Sequence, residues 1–282
     1  MSAELIRPQA LLRKHAIRPS KRRGQNFLVN PQVAARIVDM AGFEADDIVI
    51  EVGAGLGVLT FPLAKRVKKV LSFEIDARLI EILHEEYSVP SNLEIIHQDI
   101  LKVDFLPLRA TYGQKVKIAG NLPYYASSPL LFKAWEGRSS FQDAFFMLQK
   151  EVADRILSAP GRKEYGILSV LLKYCANLEK IMDVSANQFY PRPEVDSVML
   201  GIHFREPLTN ATDEGFFKHI VRSAFQQRRK TLQNSLSSGT GFTPGQIAGV
   251  LQELGIDGKR RAETLDADEF VSISNTLGAC RA

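Results

Sequence analysis

A buried strand that runs without a break into a glycine turn leaves a chain few folds to choose from. Asp47-Ile48-Val49-Ile50-Glu51-Val52 is such a strand, and Gly53-Ala54-Gly55-Leu56-Gly57 follows it at once. A short apolar run bounded by a turn signal fits a strand covered on both faces. Glycines then let the backbone turn sharply and approach a ligand with no Cβ in the way. The next segments keep the same rhythm. Helical spacing over Leu59–Arg66 gives way to a strand at Val70–Ile75, a helix at Ala77–Glu86, and strands at Leu93–His97 and Val116–Ala119. A helix over Pro129–Glu136, a strand at Ala144–Leu148 and a helix at Lys150–Leu157 continue it. Asp183–Ser185 and Val195–His203 read as a strand pair at one edge. Upstream, Asn30 as N-cap and Pro31 at the first helical position open a helix to Met40, closed by Gly42. This alternation predicts an α/β fold, a Rossmann-like and mostly parallel sheet with helices on both faces.

After Arg205-Glu206-Pro207 the pattern turns wholly helical. Thr212 is placed to cap a helix bearing Phe216, Phe217, Ile220, Val221, Phe225 and Leu232. Thr243-Pro244 opens another that ends at Gly255, and Asp266 with Glu269 at N3 makes a capping box for a last helix to about Leu277. The expected organisation is a flexible basic arm over residues 1–24, an α/β domain over 25–206, and a small all-α C-terminal domain over 207–282.

Charge sets the arm apart. Residues 1–24 hold seven Lys or Arg against Glu4, a balance of +6 in a chain whose net charge is +4. A concentrated basic arm on a near-neutral body suits phosphate backbones, though a solvated tail has the same composition. Over the whole chain, 45% hydrophobic and 24% charged residues are the proportions of a folded globular protein and exclude a disordered chain. No stretch approaches the roughly 20 apolar residues of a membrane-spanning helix. Arg7, Arg13, Lys14 and Arg18 interrupt any secretory core. Cys175 and Cys280 have no ligand spacing, so neither a disulfide framework nor a metal is expected. A cytoplasmic protein without membrane attachment is expected, with an amphipathic organellar presequence as the alternative, since Glu4 is the only acid before Asp39.

The ligand class of the glycine turn follows from what it lacks. A dinucleotide fingerprint needs a third glycine at position 58, which is Val58. Glu51 before the turn would oppose a pyrophosphate and tolerate a cationic ligand. S-adenosylmethionine carries a sulfonium and an ammonium and has no phosphate. The second strand ends in Glu74-Ile75-Asp76, where a carboxylate is placed to accept two hydrogen bonds from a ribose diol. The third is followed by Gln98-Asp99-Ile100, where Asp99 can accept an adenine amine. Either of these two acids alone reads more readily as a surface charge or a helix cap. Three at successive strand ends, in register with the glycine loop, point to S-adenosylmethionine and a class I methyltransferase sheet. A nicotinamide-dependent oxidoreductase is the weaker alternative.

The fourth strand ends in Gly120-Asn121-Leu122-Pro123-Tyr124-Tyr125. An adenine amino nitrogen is a poor nucleophile because its lone pair is delocalised into the ring. Two acceptors that bind both amino hydrogens pull the nitrogen towards tetrahedral geometry and free that pair. The Asn121 side-chain carbonyl with a main-chain carbonyl at Leu122 or Pro123 can form such a pair. Pro123 fixes the turn, and Tyr124 offers a face for an extruded base. Extrusion costs a few kcal/mol, and aromatic stacking returns on the order of 1–3 kcal/mol. Rate enhancement is then left to positioning, worth roughly 7–11 kcal/mol when reacting atoms are in line. A plain Asn-x-Pro turn remains the alternative for this segment on its own.

With these motifs the chain resembles the ribosomal RNA adenine N6-dimethyltransferases, from Lys21 to about residue 235 and, by expectation, to the end. Gln25-Asn26-Phe27-Leu28 is similar to the family's N-terminal cofactor motif, Glu51–Gly57 to its glycine loop and Asn121–Tyr124 to its acceptor motif. Phe189-Tyr190-Pro191-Arg192-Pro193-Glu194-Val195-Asp196-Ser197 resembles its late motif. The resemblance implies that Asn26, Leu28, Gly53, Gly55, Glu74, Asp99 and Asn121 contact S-adenosylmethionine. It also implies that Asn121, Leu122, Pro123, Tyr124 and Phe189 hold the target base. Two branches compete. One dimethylates two adjacent adenosines in a hairpin near the 3′ end of small-subunit (16S) RNA and serves subunit biogenesis; the other dimethylates one large-subunit (23S) adenosine and confers macrolide resistance. Ala224–Leu232 and the C-terminal helices resemble the first. There, Arg222, Arg228, Arg229 and Lys230 read as a basic helix surface for RNA, with Arg22 and Arg23 adding to it and Lys259-Arg260-Arg261 as a second cluster. A monomer acting on the small subunit or its precursor is expected. An assembly factor whose methylation is dispensable is the alternative from another class.

Overall fold

The structure, a computed structural model, describes residues 7–20, 24–123, 125–227 and 229–281. In chain order the elements are α1 (Pro8–Lys14), β1 (Phe27–Leu28), α2 (Pro31–Met40), β2 (Ile48–Val52), α3 (Thr60–Arg66), β3 (Lys69–Glu74), α4 (Ala77–Glu86), β4 (Leu93–His97), α5 (Leu108–Tyr112), β5 (Val116–Asn121) and α6 (Ser127–Glu136). They continue with β6 (Phe141–Gln149), α7 (Lys150–Leu157), α8 (Ile167–Cys175), β7 (Ala176–Val184), β8 (Phe189–Tyr190), β9 (Ser197–Phe204), α9 (Glu214–Phe225), α10 (Leu232–Thr240), α11 (Pro244–Glu253) and α12 (Ala267–Ala279). Among the described residues no helix is long and apolar enough to cross a membrane.

Seven strands form one sheet in the order β4-β3-β2-β5-β6-β9-β7. Pairs β2–β3, β3–β4, β2–β5 and β5–β6 are parallel, whereas β9 runs antiparallel to β6. The chain leaves β2 outward in one direction to β4 and then returns to β5 on its other side. That reversal makes the gap beyond the carboxyl ends of β2 and β5 a topological switch point, where open α/β sheets bind their ligands. β2 is buried along its whole length, as a parallel strand covered on both faces must be.

Contacts divide the chain into two units, residues 1–153 with 179–204, and residues 154–178 with 205–282. The expected boundary near 207 therefore misses a stretch of the helical unit. Its helix α8, Ile-Leu-Ser-Val-Leu-Leu-Lys-Tyr-Cys, is apolar on nearly every side, and periodicity does not separate such a run from a buried strand.

Two further expectations change. The arm is not flexible throughout, because residues 8–14 form α1 with Leu11 and Leu12 in the hydrophobic core of the first unit. Lys14 Nζ lies 2.7 Å from Glu86 Oε1 on α4, and His15 Nε2 lies 2.5 Å from the same oxygen. The helix expected to run from Phe216 to Leu232 ends at Phe225, and Leu232 opens α10 after a turn. Thr231 caps α10 by accepting from the Asn234 N–H, and Asp213, not Thr212, caps α9. The helical unit packs Tyr174 against Phe217 (centroids 4.7 Å apart) and Phe225 against Phe270 (6.0 Å).

Candidate active site

The glycines of the loop after β2 divide their labour. Gly53, at φ +79°, has nothing within 4 Å of where a Cβ would sit, and its N–H donates to the Phe73 carbonyl at 2.8 Å. Gly57, at φ +81°, would place a Cβ 2.4 Å from Phe61, so the third glycine serves helix packing. Gly53 and Gly55 border a cavity at the switch point, and Gly57 does not.

Glu74, at the carboxyl end of β3, is the best-organised acid. Its Oε2 accepts from the Gly55 N–H at 2.9 Å, and Oε1 accepts from the Ile75 and Asp76 N–H groups at 2.8 and 2.9 Å. Burial pushes its carboxyl up, and those three donors pull it down. A carboxylate offers about four lone-pair directions, so accepting capacity remains towards the cavity it borders. Asp76 is committed elsewhere, to Arg78 at 2.9 and 2.7 Å and to Gln25 Nε2 at 3.2 Å. Asp99 borders the cavity while its Oδ1 accepts from the Leu101 N–H at 2.9 Å, so one residue is both cap and wall.

Glu51 departs from its expected place. It does not border the cavity; it lies fully buried beneath the turn. Strand alternation explains this. Glu51 pairs with Ser72 across β2 and β3, and its Oε2 accepts from Ser72 Oγ at 2.5 Å. Burial pushes this carboxyl up to about 7 from an ordinary 4.5.

Asn121 ends β5, the strand beside β2. Its Nδ2 donates to the Asn26 main-chain carbonyl at 2.8 Å. Only the NH2 end of the amide can meet a carbonyl, so the bond fixes which way the group points and leaves Oδ1 as an acceptor. The Pro123 carbonyl is already taken by the Ala126 N–H at 2.9 Å and by Ser127 Oγ at 3.2 Å. Among the described residues none donates to the Leu122 carbonyl. Tyr124 lies outside the described residues, as do Arg22, Arg23 and Arg228.

A two-stranded clasp ties the N-terminal motif to the late one. Phe27 and Leu28 on β1 pair with Tyr190 and Phe189 on β8, Val29 N–H donates to the Gln188 carbonyl at 2.8 Å, and Asn30 Nδ2 donates to Gln188 Oε1 at 2.9 Å. Asn26, Leu28, Gly53, Gly55, Glu74, Asp99, Asn121, Leu122, Pro123 and Phe189 thus all border one cavity. Gln98, Tyr125, Met147 and Ser197 border it too and were not singled out. Gln98, Tyr125 and Ser197 sit inside or beside quoted motifs. Met147 gives no local signal, being one apolar residue of β6 that pairing sets opposite Asn121. Among its described residues the wall carries Glu74 and Asp99 and no lysine or arginine, which disfavours a pyrophosphate and suits a cationic nucleoside.

The residues expected to meet RNA in the C-terminal part belong to the other unit. Arg222 is exposed on α9, but Arg229 and Lys230 lie in the turn after it, so no single helix surface carries them. The Leu232 N–H donates to the Arg260 carbonyl at 2.7 Å, which brings the exposed Lys259 and Arg261 beside that turn. Arg260 itself is paired with Glu269.

A parallel sheet with an antiparallel strand β9, a glycine loop and acids at its switch point define a class I methyltransferase. The chain belongs to the ribosomal RNA adenine dimethylase family, whose model matches residues 17–278. It is 43% identical over 278 residues to the ribosomal RNA small subunit methyltransferase A of Bacillus mycoides (strain KBAB4), covering 96% of this chain and 95% of that one. It is 42% identical over 277 residues to the protein of the same name from Shouchella clausii (strain KSM-K16), covering 96% and 94%. Among solved structures it is similar to a dimethyladenosine transferase from Plasmodium falciparum, with a TM-score of 0.71 and 29% identity over 88% of this chain and 95% of that one. It is also similar to the 23S rRNA methyltransferase ErmE, with a TM-score of 0.65 and 25% identity over 90% and 100%.

Proposed function

We propose that the protein uses S-adenosylmethionine to dimethylate the N6 amino groups of two adjacent adenosines near the 3′ end of small-subunit (16S) ribosomal RNA, within the small subunit or its precursor. The observation that carries the reading is the orientation of Asn121, whose amide is held by the Asn26 carbonyl with its oxygen left to accept. S-adenosylmethionine supplies an electrophilic methyl group on a cationic sulfur. The open loop at Gly53 and Gly55 admits the nucleoside, Glu74 accepts from its ribose hydroxyls, and Asp99 accepts from its adenine amine. Asn26 and Leu28 line the same cavity.

Asn121 Oδ1 and the Leu122 carbonyl then take the two hydrogens of the target amine. Pro123 shapes the turn, and Phe189 and Tyr124 hold the base. No general base is needed before attack, because the proton becomes acidic once the nitrogen is alkylated. Binding is supported from the other unit by Arg222, Arg229 and Lys230, with Lys259 and Arg261 alongside. The choice of the small subunit rests on relatives at 42–43% identity that carry that description, against 25% for the 23S enzyme.

Labelled methyl transfer onto undermethylated small and large subunits, with the modified nucleotides mapped, tests this. The expected result is label on two neighbouring adenosines of the small subunit alone. Label on a single large-subunit adenosine overturns the substrate, and no label on either overturns the reaction.

A further inference from the structure

The cavity accounts for one base, and the rim of the clasp carries groups that it does not use. Strand alternation on β8 sends Phe189 into the wall and Tyr190 to the opposite face. Tyr190 is 40% exposed, an unusual place for an aromatic ring in a short paired strand, and Arg192 follows it, also exposed. Tyr125, 53% exposed, borders the cavity itself. Exposed aromatic faces interleaved with a cation are the chemistry that holds single-stranded nucleic acid, the ring stacking on a base and the cation meeting the backbone.

We propose that Tyr190 and Arg192 form a second subsite, for the nucleotide next to the target adenosine, with the Tyr190 ring stacked on its base and the Arg192 guanidinium on its phosphate. The proposal rests on the reading above, that the target is an adenosine in RNA. A base that enters the cavity past Phe189 leaves its chain neighbour outside, one residue further along β8. Pairing with Phe27 holds Tyr190 there before RNA arrives, so little ordering is required on binding. When the substrate is a pair of adjacent adenosines, the waiting one occupies this subsite while its neighbour reacts.

The test uses full-length enzyme and undermethylated small subunits reconstituted with either intact RNA or RNA carrying an abasic nucleotide beside the target. On intact RNA, Tyr190→Ala should lower kcat/KM about tenfold, the scale of one lost stacking contact. Tyr190→Phe should restore it, and S-adenosylmethionine affinity should not change. On the abasic RNA, wild type and Tyr190→Ala should be equal, a result that a loss of folding does not mimic. Arg192→Ala, which removes no ring, should reduce the salt slope of RNA binding by about one unit. Equal rates for wild type and Tyr190→Ala on intact RNA overturn the subsite, as does an undiminished defect on the abasic RNA. Failure of wild type to methylate intact small subunits overturns the underlying reading instead.

Discussion

Asn121 shows how much depends on one amide. In the proposed reaction its side chain neither donates a proton nor takes one away; it offers an oxygen to the target amine, and the Asn26 carbonyl prevents the group from turning over. Asn121→Ala should therefore reduce kcat by roughly 10²–10³, the usual consequence of deleting one preorganised polar contact to the reacting centre. Single-turnover methyl transfer measures it, and a rate within a few fold of wild type would reject the assignment. Glu51 lies deeper, wholly buried where Asn121 is only half-buried, and it acts on stability. Between pH 4.5 and about 7 the folded protein keeps a proton that the unfolded chain has released. Its contribution is thus fully present below the unfolded value, falls as pH rises through that window and is flat above it, by on the order of 3 kcal/mol in all. Urea unfolding of wild type and Glu51→Gln at pH 5 and pH 8 should show that extra decline in the wild type only. Sequence reasoning found the importance of Glu51 but not its position, because only strand pairing reveals that Ser72 lies opposite.

At the scale of elements, what was legible were the segments whose signals are local. Asn30 before Pro31, Thr243 before Pro244 and Asp266 with Glu269 are caps that structure and sequence place alike. Helix α4 matches its expected span, residue for residue, since Asp76 precedes it and its apolar positions recur on one face. The failures share a cause. α1 has two buried leucines and a basic exterior, so charge hid a short amphipathic helix. α8 is too apolar for its period to show. Because Leu11 is wholly buried in the core of its unit, Leu11→Ala should destabilise that unit by about 2–5 kcal/mol in equilibrium unfolding, where a disordered arm would register no change. Removal of the first 15 residues therefore tests the fold before it tests RNA binding.

For the whole molecule, the division into two units sets the cavity apart from the C-terminal basic turn. Every described residue that borders the cavity lies in the first unit, and the C-terminal basic turn lies in the second. Replacing Arg229 and Lys230 together by Ala should weaken subunit binding at low salt and reduce the slope of log affinity against log salt by about two. Cofactor affinity, measured by calorimetry, should be unaltered; an unchanged slope would place RNA contact elsewhere. That the glycine loop, Glu74 and Asp99 share one cavity was readable because each sits in a short local motif at a strand end; Glu51 was not so placed. The clasp was not readable, since it joins motifs at opposite ends of the first unit, with Asn30 and Gln188 bonded across 158 residues. That separation has a consequence for synthesis. A chain still emerging from a ribosome holds the glycine loop, Glu74 and Asn121 long before β8 exists, and its site lacks a side until Phe189 arrives. The cavity wall is therefore completed late in the chain's own making, when nearly all of the first unit has been translated.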